Sequence, residues 1–378
     1  GAIDFFDLFL DSKKAFVSEK AALCILKEKK KQLCITAEQL ANKLGASSQL
    51  VHKWLNRSVS VKDLVRLCCA LDVDLSLIKA NINWLENKQF KNKKIPSKIE
   101  CTKEFARLLG YWLADGHNCP SYISFVNNNE KVRNDFVFLL EKVFNEKITF
   151  TQKNGTELRF SNSILSSALE KIGFTPSSKT KFVHESILNS PNETIRSFLS
   201  SFFDCDGFVA KDKAEIEVCL AGKKLLENVG FLFWRIGCVG SFSVKTVKGQ
   251  NYYRLFIRGA DKFSILSPQL DFLIDYKKER LFNNSLRKSN TNVDIVPNTA
   301  PHLRRLLELL QMSQPQHESS GINNYLYRID NPSRKNLQIL LDLFNKRIIE
   351  IEEISAQSQF PMQQVLSLGH NLNIPIQE

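Results

Sequence analysis

Asp115 and Asp206 are the residues of this chain best placed to do chemistry. Each closes a short apolar run and is followed by glycine: Leu108-Leu109-Gly110-Tyr111-Trp112-Leu113-Ala114-Asp115-Gly116 and Leu199-Ser200-Ser201-Phe202-Phe203-Asp204-Cys205-Asp206-Gly207, with the two acids 91 residues apart. Both runs read as helices with small residues on one face, which lets a second backbone come close, and the glycine is expected to stop each helix in the left-handed conformation. Two such helices packed side by side bring both carboxylates to one end. Paired carboxylates repel unless a cation neutralises them, and Mg2+, which prefers oxygen ligands, meets that need.

The doubled motif resembles the LAGLIDADG family of homing endonucleases, in the two-motif, single-chain form found inside inteins, over roughly residues 96–290. The resemblance implies an α+β fold of two pseudo-symmetric half-domains (about 96–190 and 191–290) with antiparallel DNA-binding sheets. It also implies hydrolysis of both strands of double-stranded DNA with two or three Mg2+ ions. Asp115 and Asp206 would hold the metal, with the backbone carbonyls of Ala114 and Cys205 near enough to contribute. In this family a lysine from each half supports water activation or leaving-group charge. The candidates are Lys179 or Lys181 and Lys277 or Lys278; Lys179 and Lys277 are favoured because their offset of about 98 matches that of the strands. The motifs depart from each other where Leu113 stands against Asp204, and where bulky Tyr111 and Trp112 occupy positions at which small residues would favour close packing.

The elements that position these acids repeat in order. Helix 103–115, a strand near 121–127, helix 130–145, strands 147–153 and 156–161 and helix 163–173 are followed by helix 194–206, strand 214–221, helix 222–236, strands 240–247 and 251–258 and helix 260–273. Alternation turns Ile148, Phe150, Leu158 and Phe160 toward the helices. It leaves Thr149, Thr151, Lys153, Arg159, Ser241, Ser243, Lys245, Arg254 and Arg258 outward, on a basic, hydroxyl-rich face suited to the major groove; an ordinary solvated face is the alternative.

Residues 1–95 read as a helical domain. Thr36–Gly45 has an N-cap and a glycine stop, and the helix from Ser47 follows, resembling a helix-turn-helix. Leu50, Val51 and Trp54 are expected in its core, and Gln49, His52, Lys53 and Asn56 toward DNA; a plain three-helix bundle is the alternative. Residues 87–98, rich in lysine and asparagine, read as a linker. Residues 291–378 form a C-terminal helical domain with helices at 302–311 and 335–349, and DNA contact, regulation or packing are its possible roles.

The formal charge of +12 points to an anionic partner such as nucleic acid. Nine cysteines without a CxxC pair read as free thiols in a reducing compartment. No signal peptide or run of 18 apolar residues is present, so an intracellular monomer with no membrane partner is expected. With Gly1 and Glu378 at the ends and seven residues after His370-Asn371, self-splicing is not expected. Two other readings on the same fold are a non-catalytic transcriptional regulator and an RNA-splicing maturase.

Overall fold

The computed structural model of the protein describes residues 1–87, 93–144, 151–153 (backbone only), 155–287, 295–312, 321–327 and 331–366. Two compact units emerge, Gly1–Arg287 and Lys288–Glu378. The first begins with β1 (Ala2–Asp4), β2 (Ala15–Val17), α1 (Lys20–Gln32), α2 (Ala37–Leu44), α3 (Ser48–Asn56), β3 (Val59–Ser60), α4 (Val61–Leu71), α5 (Leu75–Lys79), β4 (Trp84–Asn87), β5 (Lys94–Pro96) and β6 (Lys98–Glu100). Thr36 and Gln39 form a reciprocal capping box at the start of α2, Gly45 ends it at φ +60°, and Ser47 caps α3.

The sequence reads residues 1–95 as helical, but the region also holds strands. β3, β2, β4 and β5 form an antiparallel sheet, and β1 pairs with β6. Strands of two to four residues are too short for alternation to register, and their partners lie far along the chain. The N-terminal elements also share one continuous hydrophobic core with the repeats that follow. Helix α8, defined below, packs against β4 and β5, and Asn87 Nδ2 donates to Ser163 Oγ on α8 at 2.6 Å.

The first repeat comprises α6 (Lys103–Asp115), β7 (Gly116–Asn118), β8 (Ile123–Val126), α7 (Glu130–Phe144), β9 (Thr151–Lys153), β10 (Glu157–Phe160) and α8 (Ser163–Lys171), followed by α9 (Glu185–Leu188). The second comprises α10 (Asn192–Cys205), β11 (Gly207–Val209), β12 (Glu215–Leu220), α11 (Lys223–Arg235), β13 (Ser241–Val247), β14 (Gln250–Arg258) and α12 (Ala260–Leu266), followed by α13 (Asp275–Ser285). Both sheets are antiparallel and have the same order: β7-β8-β10-β9 and β11-β12-β14-β13. Leu158 and Phe160 are buried, as alternation requires; Ile148 and Phe150 lie outside the described residues.

Helices α6 and α10 pack along their lengths. At their crossing, a Cβ on Gly110 would overlap Ser201 Oγ and come within 2.6 Å of the Phe198 carbonyl oxygen, so only glycine fits. Tyr111 and Trp112 do not obstruct this contact. They turn into an aromatic cluster of the first half, with Tyr111 5.6 Å from Phe125 and Trp112 stacked 6.1 Å from Phe174.

In the second unit, α14 (Ala300–Leu309), α15 (Asn323–Tyr327) and α16 (Arg334–Ser358) enclose Leu303, Ile322, Leu326, Leu340 and Phe344. Helix α16 runs nine residues beyond its expected end at 349.

Candidate active site at the paired helix ends

Asp115 is the last residue of α6, and Asp206 follows the last residue of α10. The glycines after them are not left-handed. Gly116 is extended at φ −85°, and Gly207 is absent from the positive-φ glycines. What demands glycine here is space. A Cβ at Gly116 would lie 2.7 Å from the Phe174 ring, and one at Gly207 would lie 2.7 Å from the Phe203 carbonyl oxygen. Each chain turns directly into a short strand, β7 or β11, folded tightly over its own helix end.

Asp115 is half-buried and accepts a 2.6 Å hydrogen bond from Asn127 Nδ2, at the end of β8. The same amide lies 3.6 Å from Cys205 Sγ. Burial and the neighbouring Asp115 carboxylate push the Cys205 thiol up, so it stays protonated. Asp206 is open to water at one edge but set among dense protein; that burial, together with Asp115's charge, raises its carboxyl to about 6. The two acids therefore interact as a pair. Among the described residues no three His, Cys, Asp or Glu side chains gather around one point. A cation here would take two carboxylates, with carbonyl, water or phosphate oxygens completing its shell, a hard-oxygen set that fits Mg2+.

One buried lysine lies beneath each helix end. Lys181 Nζ donates to the carbonyls of Leu113 at 3.0 Å and Gly116 at 2.9 Å, with Trp112 O at 3.4 Å. Burial lowers Lys181 to about 8, against the pull of Asp206 and Asp115. Lys277, in the first turn of α13, donates to Phe203 O and Asp204 O, each at 2.7 Å, and burial lowers it as well. Lys179 does not join this arrangement. A turn in which Thr180 N bonds Ser177 O leaves Lys179 exposed, so its side chain is carried outward while Lys181 turns in. A constant offset fails here because Lys277 sits on a helix and Lys181 in an irregular segment. Lys278 is exposed and paired with Asp271 at 2.9 Å.

On the second sheet Ser241, Ser243 and Lys245 are exposed along edge strand β13. The outward arginines are not free cations. Arg254 meets Glu217 at 2.6 Å, Arg258 meets Glu215 at 2.5 Å, and Arg159 meets Glu157 at 2.8 Å. Arg254 and Arg258 also lie over the Phe256 ring, at 4.5 and 4.2 Å. Thr149 lies outside the described residues, as do the side chains of Thr151 and Lys153. On α3, Gln49, His52, Lys53 and Asn56 are all exposed. Leu50, expected in the core, is 40% exposed, and Leu55 is buried in that role.

Sequence reasoning missed Asn127 and the three glutamates. An asparagine run after β8 and acids two residues apart on β12 were the available signals, but only strand register assigns their partners.

Residues 193–267 match the family model of a LAGLIDADG-like domain. The chain is similar to the replication factor C small subunit of Methanocaldococcus jannaschii, with 25% identity over 67% of this chain and 14% of that protein. It is likewise similar to the DNA-directed RNA polymerase subunit Rpo1C of the same organism, with 26% identity over 74% of this chain and 35% of that one. It thus spans well under two thirds of the length of these relatives. Among solved structures it is similar to mesophilic variants of the homing endonuclease I-DmoI, at 18% identity and a TM-score of 0.36, covering 45% of this chain and 96% of that chain.

Proposed function

We propose, from the premise that this chain carries a LAGLIDADG-like domain, that it is a site-specific, Mg2+-dependent endonuclease hydrolysing both strands of double-stranded DNA. The observation that carries this reading is the coupling of Asp115 to Asp206 at adjacent helix ends, each backed by a buried lysine. A pure DNA binder gains nothing from two interacting carboxylates held beside phosphates.

Two or three bound divalent ions would supply hydroxide near neutral pH and neutralise the leaving oxygen. The carboxylates of Asp115 and Asp206 would hold them, helped by the carbonyls of Ala114 and Cys205, and Asn127 fixes the orientation of Asp115. Lys181 and Lys277 set fixed positive charge where negative charge develops on phosphate, which a preorganised site stabilises strongly. Ser241, Ser243 and Lys245, with the glutamate-held Arg159, Arg254 and Arg258, form the sheet contact to DNA. Gln49, His52, Lys53 and Asn56 extend the footprint, as would the C-terminal helices. Both acids come from one chain, so a monomer suffices, and its DNA substrate puts it inside the cell. No described helix is long and apolar enough to cross a membrane.

The two relatives carry the names of different machines, and this chain spans a minority of each. That supports a module shared between unrelated host proteins rather than either named activity.

The test is incubation with a mixed DNA library and Mg2+, followed by sequencing of any new ends. Defined double-strand ends that vanish for Asp115→Asn and Asp206→Asn, while DNA binding persists, are expected. Binding without new ends would favour a regulator that reads DNA through α3, and preferential binding to structured RNA would favour a maturase. Full cleavage by either variant would remove the two-acid assignment.

A further inference from the structure

The two lysine-backed helix ends differ in one buried charge. Two residues before Asp206 stands Asp204, 1% exposed; its counterpart before Asp115 is Leu113. Asp204 does not join the carboxylate pair. It accepts the backbone N–H groups of Leu273, at 3.0 and 3.1 Å, and of Ile274, at 3.2 Å. These are the two residues that lead into α13. Lys277, in the first turn of that helix, donates back to the carbonyls of Phe203 and Asp204. The last turn of α10 and the start of α13 thus hold each other through bonds donated from the α13 side to the Asp204 carboxylate and to two main-chain carbonyls.

Arg107 stands behind Asp204 at 3.7 Å and is itself held by Asp135 at 2.6 Å and the Tyr111 hydroxyl at 3.1 Å. This polar set is one-sided. Arg107, Tyr111 and Leu113 of α6 correspond to Phe198, Phe202 and Asp204 of α10. Lys181 likewise binds backbone carbonyls, with the Phe174 ring 5.1 Å from Nζ, but Leu113 offers its segment no carboxylate. A buried charge of this kind adds little net stability over an apolar replacement, so its value lies in geometry.

We propose that Asp204 is a positioning residue for Lys277: by fixing the start of α13 it sets that ammonium beneath the second helix end, a dependence the first helix end does not share. Only the effect on cleavage rests on the nuclease reading; the placement of the lysine does not.

The test uses the full chain as wild type, Asp204→Asn and Asp204→Leu, following amine acetylation of each lysine by peptide mass spectrometry. Losing contacts of this strength should speed Lys277 labelling about tenfold in Asp204→Leu. A smaller gain is expected in Asp204→Asn, whose amide oxygen still accepts the N–H groups, and Lys181 should be unchanged in both. On cut DNA, both variants should accumulate a nick, with the slow strand the same one that Lys277→Met leaves uncut. Unchanged Lys277 protection, equal acceleration at Lys181, or equal slowing of both strands would overturn the proposal. Should Asp204→Leu fail to fold, the isosteric Asp204→Asn makes the same comparison. Should the wild type cut no DNA, the nuclease reading falls and the labelling ratio still decides the role of Asp204.

Discussion

Asp206 holds its proton more tightly in the folded protein, at about 6, than an unfolded carboxyl does, because burial and Asp115 disfavour its charge. The stability this gives is complete below about pH 4 and lost as pH rises through about 6. Asp206→Asn should therefore melt higher than wild type at pH 7, by about 1 kcal/mol or less given its open edge. The gap should close below pH 4, and thermal melts across pH 3–8 check this. A divalent ion relieves the same repulsion, so Mg2+ or Ca2+ should raise the wild-type melting temperature but not that of Asp206→Asn. The lysines separate in the same way. Lys181→Met should slow cleavage about 10²-fold or more, as loss of a fixed charge-stabilising donor does. Lys179→Met should leave the rate near wild type, and single-turnover kinetics at saturating enzyme measures both.

At the scale of elements, the pairing of α6 with α10 depends on Gly110 facing Ser201. Gly110→Ala places a methyl group against Phe198 O, a backbone atom that cannot swing aside. Overpacking of this kind should cost about 1–3 kcal/mol, read from urea denaturation at unchanged m. The repeat was legible in the sequence because its longer helices and the strands β12, β13 and β14 are long enough to show their period. The strands β7 and β11 were not, since three residues carry no period and each begins at the glycine that the sequence suggested was a helix stop. Leu50 shows the same limit: on a nine-residue helix, Leu50 and Leu55 compete for the core, and only the packing of α1, α2 and β3 around α3 decides.

Across the whole molecule, the excess of 52 basic over 40 acidic residues should make DNA binding strongly salt-dependent. With six or more phosphate contacts, affinity should fall roughly 10³-fold between 50 and 200 mM salt, measured by fluorescence anisotropy. Net charge alone overstates the free cations on the sheets, because Glu157, Glu215 and Glu217 already hold three of the arginines. The sequence by itself determined the order of the longer repeated elements, the two acids at the helix ends and the exposed polar residues of α3, because each rests on local period or a chemical type recurring at fixed spacing. Tertiary structure alone decided which lysine turns inward, which glutamate holds which arginine, why glycine follows each acid, and that Asp204 grips α13 rather than the site. Those outcomes depend on distances between segments far apart in the chain, and no local pattern in the sequence carries them.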